Sequence, residues 1–176
     1  CGAGTSKNSG LPLANELRQQ ILEKLSMAAE DKNEVTDSVF PFEAFIETLS
    51  ENTDISKILD IFKDGIPNTN YTLIARLAKE GYLKTIFTTN FDLLIEKALE
   101  KEGLKRNSDF ELYYDEKHFL KIDFADIDDD KTIRIFKIHG SVEDKNSIRT
   151  TLNVVASKIL SDKRLNLIRY LFSAGK

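Results

Sequence analysis

A short run at residues 84–88, which reads as a buried strand around Ile86 and Phe87, passes through Thr89-Asn90-Phe91-Asp92 into Phe91, Leu94, Ile95, Ala98 and Leu99 at helical spacing. This junction restricts the fold more than any other feature of the chain. The run has the length of a buried strand, and the stripe continues until Gly103, a residue suited to a left-handed helix stop. A strand that passes directly into a helix is one half of a βα unit, whose helix covers a face of a parallel sheet. Polar residues at the junction then fall at the carboxyl end of the strand, where open parallel sheets bind their ligands.

The remaining pattern agrees with that unit. Residues 132–138 carry Ile133, Ile135, Phe136 and Ile138 and predict a second strand running into His139-Gly140. Leu17, Ile21 and Leu25 predict a helix over 12–29, with Pro12 where a first turn tolerates it. Phe42, Phe45, Ile46 and Leu49 mark a further helix, and Ile55, Ile58, Leu59 and Phe62 another; the two form a helical insert or cover part of the sheet. Pro67-Asn68 opens a helix through Tyr71, Ile74, Leu77 and Ala78 that stops at Gly81. Residues 109–126 suggest one or two strands, and 153–172 should be largely helical. The expectation is a single α/β domain over 1–176, a parallel sheet between helices. A Gly-X-Gly turn at residues 2–4 ordinarily follows a buried strand, and the helix stop near Gly175 ordinarily precedes one. The chain therefore reads as a fragment lacking its first and last strands.

Composition removes several classes of function. The net charge is −4, and lysines and arginines are scattered among acids, so no basic stripe for nucleic acid is expected. No apolar stretch approaches the roughly 18 residues of a membrane span. The single cysteine, Cys1, permits neither an internal disulfide nor a four-cysteine zinc site, and no metal is expected. This usage suits a cytoplasmic protein. The acids Asp126, Asp128, Asp129 and Asp130 lack the glycine and glutamate of a calcium loop and read as a solvated turn. His118 has no second ligand at metal spacing, and Ser141 lies outside any Gly-X-Ser-X-Gly elbow.

Three places retain chemical interest. A glycine turn that opens a helix can present main-chain N–H groups to a pyrophosphate, with Ser6 and Ser9 adding hydroxyls, although such turns are also common in loops. Asn90 and Asp92 share a strand end; the competing reading is that they cap the following helix. His139 ends the second strand, where an imidazole can take a proton from a hydroxyl or a water, or can simply pack.

Taken in order, Gly2-Ala3-Gly4-Thr5-Ser6-Lys7-Asn8-Ser9-Gly10-Leu11-Pro12, Thr88-Thr89-Asn90-Phe91-Asp92 and Lys137-Ile138-His139-Gly140-Ser141 resemble the three signature segments of the sirtuin superfamily. The resemblance implies a Rossmann-like sheet with helices on both faces and NAD as substrate. It implies Asn90 and His139 as catalytic residues, and Gly2, Ala3, Gly4, Ser6, Thr89, Asn90 and Asp92 as the groups that hold the dinucleotide. Typical sirtuin deacylases continue with Asp-Phe-Arg where this chain has Leu13-Ala14-Asn15, carry Gln where it has Thr89, and contain a four-cysteine zinc module. The chain looks closer to the sirtuin-like domains of bacterial antiphage proteins, several of which hydrolyse NAD+ to nicotinamide and ADP-ribose. That resemblance also implies a homo-oligomer or a fused or partner sensor domain. NAD-dependent deacylation and noncatalytic NAD or ADP-ribose sensing are the alternatives.

Overall fold

The computed structural model describes residues 1–24, 45–46, 49, 54, 56–122, 131–148 and 162–173. A one-turn helix α1 (Ala3–Ser6) continues as a 3-10 turn and precedes α2 (Ala14–Lys24). Helix α3 (Ser56–Leu59) runs on as 3-10 turns, and α4 (Thr69–Lys79) leads to β1 (Thr85–Thr88). Then follow α5 (Leu94–Lys101), β2 (Phe110–Tyr113), α6 (Glu116–Leu120), β3 (Ile133–Lys137) and α7 (Asp162–Ser173).

The strands form one parallel sheet in the order β1-β3-β2, with Thr88 opposite Lys137 and Tyr113 opposite Phe136. The fold is the expected α/β arrangement. Because side chains alternate along a strand, β3 sends Ile133 and Ile135 into a core with Ile86, Phe110 and Leu112 beneath α4 and α5. Its Phe136 points the other way, into a second core with Phe119 of α6 and Leu167 of α7. All five β3 residues are buried, as a central strand covered on both faces requires. A third cluster joins Leu17, Ile21 and Leu22 of α2 to Phe45 and Ile46.

Local chemistry explains where several elements start and stop. Asn68 takes an extended conformation, and its side-chain oxygen accepts from the amides of Asn70 and Tyr71, so it is the N-cap of α4. Gly81 and Gly103 follow α4 and α5 with φ of 81° and 91°. Three expectations change or narrow. The segment around Gly2 and Gly4 is not a tight turn: Gly2 is the extended N-cap of α1 and Gly4 lies within the helix, neither at positive φ. Of the one or two strands expected over 109–126, the described residues hold β2, and α6 follows it because the Asp115 carboxylate accepts from the His118 amide and starts a helix. Helix α2 begins at Ala14, two residues beyond Pro12. The expected helical positions 25–29 and 153–161, the last part (123–126) of the strand region, and the solvated turn at Asp126, Asp128, Asp129 and Asp130 lie outside the described residues.

The second core also holds a titrating group. Burial, and then the adjacent Glu111 carboxylate that accepts its hydroxyl proton, push the Tyr113 phenol up to about 12. An unfolded tyrosine ionises near 10, so the stability tied to protonated Tyr113 is present below about pH 10 and is lost as pH rises through 12. Urea midpoints measured from pH 9 to 11 are expected to fall more steeply in the wild type than in Tyr113→Phe. Parallel slopes would remove Tyr113 as the cause.

Candidate functional site

The carboxyl ends of β1 and β3 lie side by side, since Thr88 and Lys137 are register partners. Asn90 and His139 each stand two residues beyond that pair, so topology alone delivers an amide and an imidazole to neighbouring strand ends. The amino-terminal segment runs along the same edge. The Cys1 main-chain nitrogen donates to the Phe87 carbonyl at 2.7 Å, and the Thr89 amide donates to the Cys1 carbonyl at 3.2 Å, the bonding pattern of a parallel pair. This lays Gly2 beside Thr89 and carries Ser6 over the end of β1.

Ser6 is the centre of a buried polar cluster. Its Oγ lies 2.7 Å from Asp92 Oδ2, 2.8 Å from Asn90 Nδ2 and 2.7 Å from the Tyr71 hydroxyl. A hydroxyl has one proton, and a carboxylate only accepts. Ser6 therefore donates to Asp92 and accepts from both Asn90 and Tyr71. Burial, followed by the negative charge of Asp92, pushes the Tyr71 phenol above its ordinary range and keeps it a donor. Asn90 Nδ2 also reaches the Tyr71 hydroxyl at 3.3 Å, and the Asn90 amide donates to Thr88 Oγ1 at 2.9 Å.

The geometry separates two readings of the strand end. Asp92 does serve the following helix, because its Oδ1 accepts from the Leu94 amide at 3.0 Å. The Asn90 side chain makes no such bond; it turns toward Ser6 and Tyr71. Capping thus accounts for one oxygen of Asp92 and for nothing at Asn90.

Asn68 secures the amino-terminal segment from the other side. Besides capping α4, its Nδ2 donates to the Thr5 carbonyl at 2.7 Å, and its amide donates to Ser9 Oγ at 3.2 Å. Ser6 and Tyr71 are held at contact distance as a result. Neither Tyr71 nor Asn68 was marked by the sequence as part of a site. Tyr71 occupies an apolar helical position, where its ring suffices to explain it, and Asn68 already had a role as a helix opener.

His139 is half-buried in the turn after β3. That turn depends on Gly140, at φ of 91°, where a Cβ would lie 2.2 Å from the Ser147 carbonyl oxygen. The Ser141 amide donates to Ser147 Oγ at 2.9 Å, and the Val142 amide donates to the Phe91 carbonyl at 2.9 Å, which ties this turn to the β1–α5 junction. Ser6, Asn90 and Asp92 are thus joined directly, Gly2 and Thr89 lie alongside, and His139 belongs to the adjacent strand end. Ala3 and Gly4 face solvent in α1 and make no bond to the cluster. Among the described residues no group of three or more histidines, cysteines or acids could hold a metal ion, and no helix is long and apolar enough to cross a membrane.

A parallel sheet covered by helices on both faces, with buried polar side chains gathered at adjacent carboxyl ends, defines an α/β domain of the Rossmann-like class. The family model of the SIR2-like domain matches residues 84–173, from the approach to β1 through α7, and the chain belongs to that family. The matched span includes Asn90, Asp92 and His139, and membership implies NAD-related function in general. No curated protein matches the chain.

Proposed function

We propose that the chain is an NAD+ hydrolase that releases nicotinamide and ADP-ribose and serves in bacterial antiphage defence by depleting NAD. The observation that carries this reading is the placement of Asn90, in contact with Ser6 and Tyr71, at the strand end beside His139. Breaking the nicotinamide glycosidic bond expels a neutral leaving group with the bonding pair and leaves an oxocarbenium-like ribose. The site then has to hold the ribose, tolerate positive charge and present water. In this reading the Asn90 amide orients water or the ribose hydroxyls, and His139 accepts the water proton as the new C–O bond forms. Asp92 binds near the nicotinamide carboxamide. Gly2, Ala3, Gly4, Ser6 and Thr89 hold the remainder of the dinucleotide. The defence role rests on the closer resemblance to the sirtuin-like domains of antiphage proteins, and with it goes assembly as an oligomer or with a sensor module, in the cytoplasm.

Incubation of the full-length protein with NAD+ tests the reading. Nicotinamide and ADP-ribose formed without any acyl-lysine support it. Turnover that requires an acylated peptide identifies a deacylase, and binding without turnover identifies a sensor; either outcome sinks the proposal.

Gly4 offers a sharper test of the binding segment. It lies in a helix with nothing within 4 Å of where a Cβ would stand. Gly4→Ala is therefore expected to leave stability unchanged or raise it by up to about 1 kcal/mol. If this segment approaches the phosphates, the added methyl raises KM for NAD+ by roughly tenfold, about 1.4 kcal/mol of binding. An unchanged KM in the folded variant would place the phosphates elsewhere.

A further inference from the structure

Beneath the Ser6, Asn90 and Asp92 cluster lies an ion pair that the proposed chemistry does not use. Lys137, the last residue of β3, follows Ile133 and Ile135 on the face toward α5. It is completely buried, and its ammonium pairs with the carboxylate of Glu96 in the first turn of α5, which is buried as well. The same ammonium donates to the Asp92 main-chain oxygen at 2.5 Å and lies 3.4 Å from Ser141 Oγ. One group thus touches the helix after β1, the segment that carries Asn90 and Asp92, and the turn that carries His139 and Ser141.

Stability alone is a weak reason for such a pair. Removing two charges from water costs more than their attraction reliably returns, and apolar side chains of similar volume are often neutral or stabilising replacements. Burial pushes the Glu96 carboxyl above its ordinary range, against the pull of Lys137, so the pair is held against a real desolvation cost. An apolar pair would fill the space equally well. It would not fasten the Asp92 carbonyl to the turn after β3.

We propose that the buried Lys137–Glu96 pair is the positioning element of the site. Lys137 sets the spacing between the Asn90–Asp92 segment and the His139–Ser141 turn, and Glu96 holds the ammonium in place. The inference rests on the reading of those two segments as an NAD site, and it concerns geometry that exists before any ligand arrives.

The test is the double variant Lys137→Met, Glu96→Leu in the full-length protein, which removes both charges together and leaves neither one buried alone. Without NAD, ¹H–¹⁵N spectra are expected to show the Asn90 side-chain amide and the Ser141 amide shifted or broadened. The amides of α6 and α7, on the opposite sheet face, should keep their positions, and the thermal midpoint should match or exceed that of the wild type. With NAD+, kcat is expected to fall by about 100-fold, as a displacement near 1 Å can cause, while KM stays within about threefold, since ligand contacts are retained. A folded double variant with unmoved resonances or wild-type kcat overturns the proposal. So does a collapse of the thermal midpoint, which would assign the pair to stability. If the wild type itself releases no nicotinamide, the NAD reading fails, and the ligand-free spectra still decide whether Lys137 positions the two segments.

Discussion

Asn90→Ala and His139→Ala are each expected to lower nicotinamide release from NAD+ by about 100-fold or more, the scale of losing a general base or the group that orients its water. The two variants should differ in stability. His139 is half-buried in a turn whose shape is set by Gly140 and by the Ser141–Ser147 bond, so truncation of its side chain should shift the unfolding free energy by less than about 1 kcal/mol. Asn90 is buried and donates to both Ser6 and Tyr71. Its removal should cost about 1–2 kcal/mol, because buried partners lose a donor. A urea titration beside a nicotinamide assay separates these effects. Near wild-type turnover in either folded variant refutes the assignment of that residue.

The largest effect on the fold is expected from Gly140→Ala. At φ of 91° an L side chain is already strained, and the added carbon would meet main-chain atoms: 2.2 Å from the Ser147 oxygen, 2.4 Å from its carbon and 2.7 Å from the Ile148 nitrogen. None of these can swing aside as a flexible side chain can. The 145–148 segment has to move, and with it the Ser147 hydroxyl that fixes the Ser141 amide. The cost should reach about 3 kcal/mol, roughly 6–12 °C in Tm for a domain of this size. Gly10→Ala is the control, since Gly10 has a similar φ of 80° but nothing within 4 Å of the added carbon; about 1 kcal/mol is expected there. Equal losses in the two variants would show that the backbone angle, and not the close approach of 145–148, sets the requirement at Gly140.

What the sequence revealed follows the range of the forces involved. The unit from β1 through α5 was legible because period, length and a terminal glycine are local and agree with one another. The α4 start at Asn68 was legible for the same reason. The glycines near the amino terminus were misread because glycine permits nearly every backbone conformation and announces none, and here the chain uses ordinary helical ones. The strand content of the region after residue 109 was legible and β2 lies there, but the helix that follows it was not, because the Asp115 cap that starts α6 rests on one short hydrogen bond. Among the residues at the site, Asn90, Asp92 and Ser6 could be proposed from resemblance. Their contacts span 84 and 86 positions and exist only once the sheet is built. Lys137 had a signal that could have been read: it falls in phase with Ile133 and Ile135, on the inward face of a strand, where a lysine needs an acidic partner. Glu96 on the buried face of α5 is the matching anomaly.

Tyr71 gives the molecule an optical property. The chain has no tryptophan and five tyrosines, so tyrosine dominates its near-ultraviolet absorption. One of those chromophores has its hydroxyl bonded to Ser6 and Asn90 at the centre of the cluster. If the proposed NAD site is the one used, a ligand that draws either residue toward itself alters the hydrogen bonding of a phenol fully shielded from water, and Tyr71 absorption then reports that binding from within the chain.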